Sequence, residues 1–168
     1  VSLFSIGLCR ADYDEYDRGF ANGTRWPVRH YRVELHGFDH KYLIARPPWR
    51  TADDLTRGRD QVAEAVGTAP TWWRPAYGVL SGPALLSARR LGLRPVLWSA
   101  WGRDWRAEAT AESVVADLEA GQLSGGTILL HDSDVMSSPD SWRQTVAALP
   151  MLADRLADLD LSVAQFGG

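Results

Sequence analysis

Residues 31–66, YRVELHGFDHKYLIARPPWRTADDLTRGRDQVAEAV, hold a strand pattern followed by a helix pattern, and this unit decides the fold. Apolar and polar residues alternate over residues 31–35, with Glu34 on the polar face, which predicts a half-buried strand. Apolar residues then share one helical face over residues 51–66, and Gly67 provides a stop. A strand followed directly by a helix is the repeating unit of α/β proteins.

The same alternation continues to the end of the chain. Further strand patterns cover residues 1–6, 71–73, 95–98, 127–130 and 161–166. Helix patterns follow Ser81 and Thr110, and another begins at Ser138-Pro139 and is disturbed by Pro150. Because helices separate the strands, we predict an α/β fold with a parallel sheet or barrel inside and helices outside.

The composition is that of one globular domain over residues 1–168. The chain has 45% hydrophobic and 23% charged residues and a net charge of -3, which argues against a nucleic-acid binder. No stretch is apolar for long enough to span a membrane, and no targeting signal is visible at Val1. Cys9 is the single cysteine, so neither an intrachain disulfide nor a cysteine-based zinc site is expected.

Polar residues directly follow several predicted strands, at the edge where α/β proteins bind ligands. His36, Arg74, Ser99 and His131 each occupy such a position. His131 directly follows an apolar strand pattern. Its imidazole is either a side chain at the edge of the core that is hydrogen-bonded to backbone, or a general acid or base. The second role is open to it because imidazole titrates near neutral pH. The residues alone leave both interpretations open.

His36 and His40 form an HxxxH pair directly after a strand. The two imidazoles converge on a divalent metal if the segment takes a helical turn, and are otherwise ordinary polar loop residues. Neutral imidazoles favour zinc and similar metals, but a catalytic zinc needs a third protein ligand. Further along, Asp53 and Asp54 are expected at the start of a surface helix, where carboxylates favour the helix dipole.

Four motifs, taken in order, resemble those of the polysaccharide deacetylase family, the carbohydrate esterases with NodB homology. Residues 36–40, HGFDH, look like the family's metal-binding HxxxH motif, and residues 74–78, RPAYG, are similar to its RPPYG motif. Asp104-Trp105 matches its DW motif, and residues 128–132, ILLHD, match its last motif, which ends in the catalytic histidine. The resemblance covers nearly the whole chain.

The resemblance implies a distorted (β/α) barrel and metal-dependent removal of N-acetyl groups from an N-acetylglucosamine-type polysaccharide. The HxxxH pair would bind the metal, which the resemblance implies to be zinc, or else cobalt or nickel. The backbone N–H of Tyr77 would hold the oxyanion, and His131 would protonate the leaving amine. Arg74 and Asp104 match positions that orient and tune the base and the acid.

One motif of the family has no counterpart in this chain. The family begins with a TFDDGP-like strand whose two aspartates supply the base and the third metal ligand, whereas residues 1–7 resemble the family's second strand. The resemblance therefore implies a barrel without its first strand, either because that strand lies upstream of Val1 or because the motif is lost. An acidic loop at residues 12–17 is a candidate for a substitute carboxylate, although such loops are usually just solvated.

Eight tryptophans are unusual for this length. Those in or just after predicted strands are Trp72, Trp73, Trp98, Trp101 and Trp105. We expect core packing for Trp72 and Trp98 and a wall of a sugar-binding groove from the other three, with Trp101 and Trp105 as substrate contacts. Two alternatives to the deacetylase are a degenerate fold that binds glycan without turnover and an amidohydrolase acting on a small non-sugar amide.

Overall fold

The structure is a computed structural model that describes residues 2–3, 5–8, 32–134 and 136–165. Cys9 and the acidic loop at residues 12–17 lie outside the described residues. The chain divides into two compact units, one consisting of Ser5–Leu97 and the other of Val1–Phe4 with Trp98–Gly168. Each unit is described by itself, and a single domain over the whole chain stays a prediction.

Strands and helices alternate along the described part of the chain. The strands are β1 (Ser2–Leu3), β2 (Ser5–Leu8), β3 (Arg32–Leu35), β4 (Trp72–Trp73), β5 (Arg94–Pro95), β6 (Ala100–Trp101), β7 (Ile128–Leu129) and β8 (Ala164–Gln165). The helices are α1 (Pro48–Val66), α2 (Gly82–Arg90), α3 (Ala111–Glu119) and α4 (Trp142–Asp158), and a 3₁₀ turn covers Ala76–Gly78. Every observed strand pairing is parallel, so the predicted α/β class is confirmed.

The first unit is built on a four-stranded sheet with the order β2-β3-β4-β5. Leu35 pairs with Trp73 across the sheet, and both side chains are buried with Leu55 of α1 and Ala84 of α2. Helix α1 has proline at its first turn, where no amide hydrogen is needed, and ends at Gly67, whose φ of 75° suits glycine. These contacts fix the carboxyl ends of β3 and β4 side by side.

Glu34 is buried, contrary to its predicted place on a polar face. Its side chain is 2% exposed, and its Oε2 accepts hydrogen bonds from the backbone N–H groups of Thr71 and Trp72, both at 2.8 Å. The alternation over residues 31–35 does not report exposure here, because parallel strands are usually buried on both faces. The carboxylate thereby ties β3 to the start of β4.

The second unit contains two parallel strand pairs, β1-β8 and β6-β7, with α3 and α4 packed against each other. Its core includes Val114, Leu118, Ile128 and Leu152. Thr110 caps α3 with a reciprocal hydrogen bond to Ser113, as its position before the apolar pattern predicts. No helix of the described residues has the length and apolarity that a membrane span requires.

Three predicted boundaries in and beside this unit are wrong. The strand expected over residues 95–98 ends at Pro95, and a separate strand, β6, follows it. Helix α4 begins at Trp142 because Asp140 has a φ of 61°, which a right-handed helix does not allow. Pro150 lies inside α4 without ending it, on an exposed side where water can reach the carbonyl that lacks a partner.

We expect Glu34→Ala to lower the free energy of unfolding by about 3 kcal/mol, because two buried backbone N–H groups lose their acceptor. Glu34→Gln, which keeps one acceptor oxygen, should cost less. Denaturant titration measures both variants. Glu64→Ala on the exposed face of α1 is the matched control and should stay within about 0.5 kcal/mol of the parent. Equal losses of unfolding free energy in Glu34→Ala and Glu64→Ala would contradict the role of Glu34 as a buried hydrogen-bond acceptor.

Candidate active site

His36 and His40 bring two ring nitrogens together in the first unit. Their Nε2 atoms are 3.1 Å apart, and Nδ1 of His36 is 2.6 Å from the carbonyl oxygen of Arg74. Because a carbonyl only accepts, Nδ1 of His36 carries its hydrogen, and the lone pair is on Nε2. The segment is an irregular turn, with φ of 122° at Gly37 and 50° at His40, so the imidazoles converge without the helical turn that the sequence analysis gave as the condition for it.

Asp54 of α1 holds the loop between the two histidines. Its carboxylate is 3% exposed and accepts hydrogen bonds from the N–H groups of Phe38 at 3.1 Å and Asp39 at 3.0 Å. Arg46 donates to Asp54 at 2.8 Å and to Asp39 at 2.9 Å. Partial burial by itself lowers the pKa of Arg46, but these two carboxylates raise it overall.

The sequence analysis missed the role of Asp54. The helix begins at Pro48, three residues earlier than the predicted start, so Asp54 lies beyond the first turn and faces the core rather than solvent. A signal was present, because Thr51, Leu55 and Gly58 are buried at helical spacing and Asp54 falls on the same face.

Tyr77 contacts the histidine pair from the 3₁₀ turn after β4. Its ring packs edge-on against His40 with centroids 4.8 Å apart and stacks on Tyr42 at 4.1 Å. Its backbone has a φ of 59°, a strained value for a side chain of this size. Arg74, just before this turn, donates its backbone N–H to Leu35 and accepts from His36, so the RPAYG segment is fixed to the strand that carries the histidines.

In the second unit, the buried Asp104 pairs with the partly exposed His131. Asp104 is 1% exposed, and its Oδ1 lies 2.8 Å from Nδ1 of His131. Its Oδ2 accepts hydrogen bonds from the backbone N–H of His131 at 2.6 Å and from the hydroxyl of Thr145 at 2.7 Å. Thr145 lies on α4 and was not singled out by the sequence analysis.

The bonds to Asp104 decide its charge and the tautomer of His131. Burial by itself raises the pKa of Asp104, but hydrogen bonds from His131 and Thr145 and the charge of His131 lower it below its usual range. Asp104 is therefore ionised near neutral pH, and Nδ1 of His131 must be a donor. Nε2 of His131 remains as the nitrogen that can exchange a proton with a ligand.

Three tryptophans of the second unit form a series of ring contacts that begins at His131. The ring of Trp105 lies edge-on to His131 with centroids 5.4 Å apart, Trp101 is 5.3 Å from Trp105, and Trp98 is 6.1 Å from Trp101. Trp98 is half-buried, so it does not belong to the fully buried core that was expected for it. Trp73, expected at a groove, is instead 1% exposed and packs in the core of the first unit.

The donor set around His36 and His40 suits a metal in part. Two imidazole nitrogens converge, and the second nitrogen of His36 is oriented by a backbone carbonyl, as is usual for metal-binding histidines. Within residues 32–134 and 136–165, no group of three or more His, Cys, Asp or Glu side chains is arranged to hold a metal ion. The histidine pair would therefore supply two ligands to a bound zinc, and a catalytic zinc site needs at least one more protein ligand.

Comparisons with known proteins agree with these motifs. The sequence profile described as polysaccharide deacetylase matches residues 24–96. The chain is 30% identical over 156 residues to a chitooligosaccharide deacetylase of Azorhizobium caulinodans, covering 89% of this chain and 71% of that protein. It is 30% identical over 125 residues to a bifunctional xylanase/xylan deacetylase of Cellvibrio japonicus, covering 74% of this chain but 17% of that protein.

A solved structure extends the likeness to the fold. A family 4 carbohydrate esterase from Streptomyces lividans in complex with acetate superposes with a TM-score of 0.71 at 21% identity, covering 95% of this chain and 78% of that one. This confirms the predicted α/β fold of the distorted-barrel NodB type. On the profile match, the two relatives at 30% identity and the shared fold, the chain belongs to the polysaccharide deacetylase family.

Proposed function

We propose that this chain hydrolyses N-acetyl groups on an N-acetylglucosamine-type carbohydrate, with a divalent metal and with His131 as the general acid. The Asp104–His131 pair is the observation that carries the proposal. The buried carboxylate fixes Nδ1 as the donor of that hydrogen bond and leaves Nε2 to hold the transferable proton. The names of both relatives contain the word deacetylase, which supports the same reaction.

The proposed reaction breaks the C–N bond of an acetamide and adds water across it. The carbonyl carbon receives the hydroxyl of water, and the other proton of water passes to a general base, the role that the resemblance gives to an aspartate of the family's first motif. The departing nitrogen takes a proton from Nε2 of His131, so the products are acetate and a free amine. The backbone N–H of Tyr77 would face the oxygen on which negative charge develops. The strained backbone of Tyr77 supports that role, because strain of this kind is concentrated at functional sites.

His36 and His40 are the residues that would hold the metal. A bound divalent metal supplies Lewis-acid polarisation of the acetyl carbonyl. Neutral imidazoles favour zinc, with cobalt and nickel as the alternatives, and a third protein ligand would complete the site. In this proposal Arg74 orients the base, while Trp101 and Trp105 offer flat apolar faces to the sugar.

The direct test measures acetate release from N-acetylglucosamine oligomers by the natural full-length protein loaded with zinc. We expect His131→Ala to reduce the rate by about 10²- to 10⁴-fold, because the leaving amine loses its proton donor. Asp154→Asn, an exposed change on α4, is the control and should leave the rate unchanged.

The outcomes separate the candidate functions. Acetate release that a chelator abolishes and added zinc restores would support the proposal. Oligomer binding that persists after chelation and in His131→Ala, without any acetate, would instead indicate a glycan-binding fold. Hydrolysis confined to small non-sugar amides would indicate the second alternative, an amidohydrolase that does not act on sugars.

Asp54 is expected to act on the metal site through the loop that it holds. Asp54→Asn weakens the bonds to Phe38, Asp39 and Arg46, so we expect zinc affinity to fall by about tenfold or more. Competition with a chromophoric chelator measures this without any turnover. Asp53→Asn is the matched control, because Asp53 is its exposed neighbour on α1 and pairs only with Arg57 among the described residues. Equal zinc affinity in the two variants would contradict the role of Asp54.

The lowered pKa of Asp104 predicts a pH dependence of stability. A carboxyl whose pKa is lower in the folded than in the unfolded state stabilises the fold above the unfolded pKa, and this contribution is lost as pH falls through the folded pKa. Asp104→Asn should therefore lower the free energy of unfolding by about 1–3 kcal/mol at pH 7 and lose less stability than the parent on further acidification below about pH 4. Denaturant titrations at pH 7, 5, 4 and 3 measure both effects. If the free energy of unfolding changed with pH equally in the parent and in Asp104→Asn, the lowered pKa of Asp104 would be refuted.

A further inference from the structure

Trp98, Trp101 and Trp105 form a continuous row of indole rings, called here the aromatic strip. Trp98 and Trp101 are stacked with their planes 29° apart, and Trp101 and Trp105 are tilted by 54°. Trp105 contacts His131 at its edge. The strip therefore leads away from the proposed general acid in steps of 5.3 and 6.1 Å between ring centroids.

Trp101 is the exposed member of the aromatic strip. Its side chain is 37% exposed, whereas Trp98 and Trp105 are partly covered. Exposing a large ring beside two other aromatic rings is costly in water, and such patches commonly mark binding surfaces. A surface of this kind suits a ligand with flat apolar faces and polar edges, which describes a sugar ring.

Arg103 adds a positive charge to the aromatic strip. Its guanidinium carbon lies 5.1 Å from the centroid of the Trp101 ring, and its backbone has a φ of 47°. Over the residues that the structure describes, no carboxylate pairs with Arg103, whereas neighbouring Arg106 pairs with Asp117 and Glu108. A strained backbone thus presents a guanidinium without a protein anion, beside an exposed aromatic face.

We propose that the aromatic strip binds the sugars next to the one that is deacetylated, and that Arg103 binds a carboxylate on one of those sugars. The inference rests on the proposed function, which makes the ligand a glycan. It goes further by naming the substrate class as an acidic glycan, because a guanidinium recognises a carboxylate through two parallel hydrogen bonds. A neutral glycan would use the rings and leave the charge of Arg103 unmatched.

Equilibrium binding tests the inference without turnover. The probes are N-acetylglucosamine tetrasaccharide and a tetrasaccharide of alternating N-acetylglucosamine and N-acetylmuramic acid, with a glucuronate-bearing xylotetraose as a second carboxylate source. We expect the full-length protein to bind the carboxylated chains about three- to tenfold more tightly than the neutral one at low salt. Preference for only one of the two acidic chains would identify which carboxylate fits.

Variants separate the charge from the rings. Arg103→Gln should abolish the preference for carboxylated chains, and Arg103→Lys should retain part of it. Trp101→Ala should weaken all three ligands by about tenfold, while Trp101→Phe keeps an aromatic face and should restore much of the binding. Arg143→Gln is the matched control, because Arg143 also lies over an indole ring, that of Trp142, but outside the aromatic strip, and should not alter the preference.

Two results would overturn the inference: equal binding of neutral and carboxylated chains by the parent, or a preference that survives Arg103→Gln. Failure of the proposed function is distinguishable from either. An Arg103-dependent preference with no acetate released would support the acidic-glycan site on the aromatic strip and refute the deacetylase activity. Acetate release with no such preference would do the reverse.

Discussion

A carboxylate buried in a protein must accept hydrogen bonds or lose its charge, and three such groups position candidate site residues, two of them in the first unit and one in the second. Glu34 accepts two backbone N–H groups and ties β3 to β4. Asp54 accepts two more in the loop that carries the histidine pair. Asp104 accepts the backbone and the ring of His131. In each case the acceptor is buried and its backbone donors lie in a segment that begins or follows a strand, so the packing of the fold determines the geometry of these segments.

Three of the five non-glycine residues with positive φ in the described part of the chain lie near these anchors. His40 lies at the end of the loop held by Asp54, Tyr77 follows the strand held by Glu34, and Arg103 immediately precedes Asp104, and all three have positive φ. Each non-glycine residue in the left-handed region costs of the order of 1 kcal/mol, so it persists only where surrounding contacts impose it.

The sequence predicted the order of strands and helices because apolar periodicity reports burial, and burial defines the elements. It also placed His36 and His131 at strand ends. It failed where a polar residue is buried, as with Glu34 and Asp54, because periodicity treats charge as a sign of exposure. Their partners are backbone N–H groups 15 to 38 residues away, and no local pattern records such a contact. Trp73 and Trp98 exchanged their expected places because tryptophan fits both a core and a partly exposed surface.

Glycine explains how Asp54 can reach the histidine loop. A Cβ at Gly58 would lie 2.6 Å from Cδ1 of Leu35 and 3.3 Å from the N atom of Phe38, so α1 packs against β3 and the loop more closely than any other residue would allow. Gly37 has a φ of 122°, and a Cβ there would lie 3.4 Å from Oδ2 of Asp54. The carboxylate is short, and it reaches the loop because Gly58 lets the helix backbone approach the loop, while Gly37 allows the loop a turn that a residue with a side chain rarely adopts. The histidine pair therefore depends on two residues that have no side chain, and a substitution at Gly58 would separate the helix from the loop before it altered any ligand.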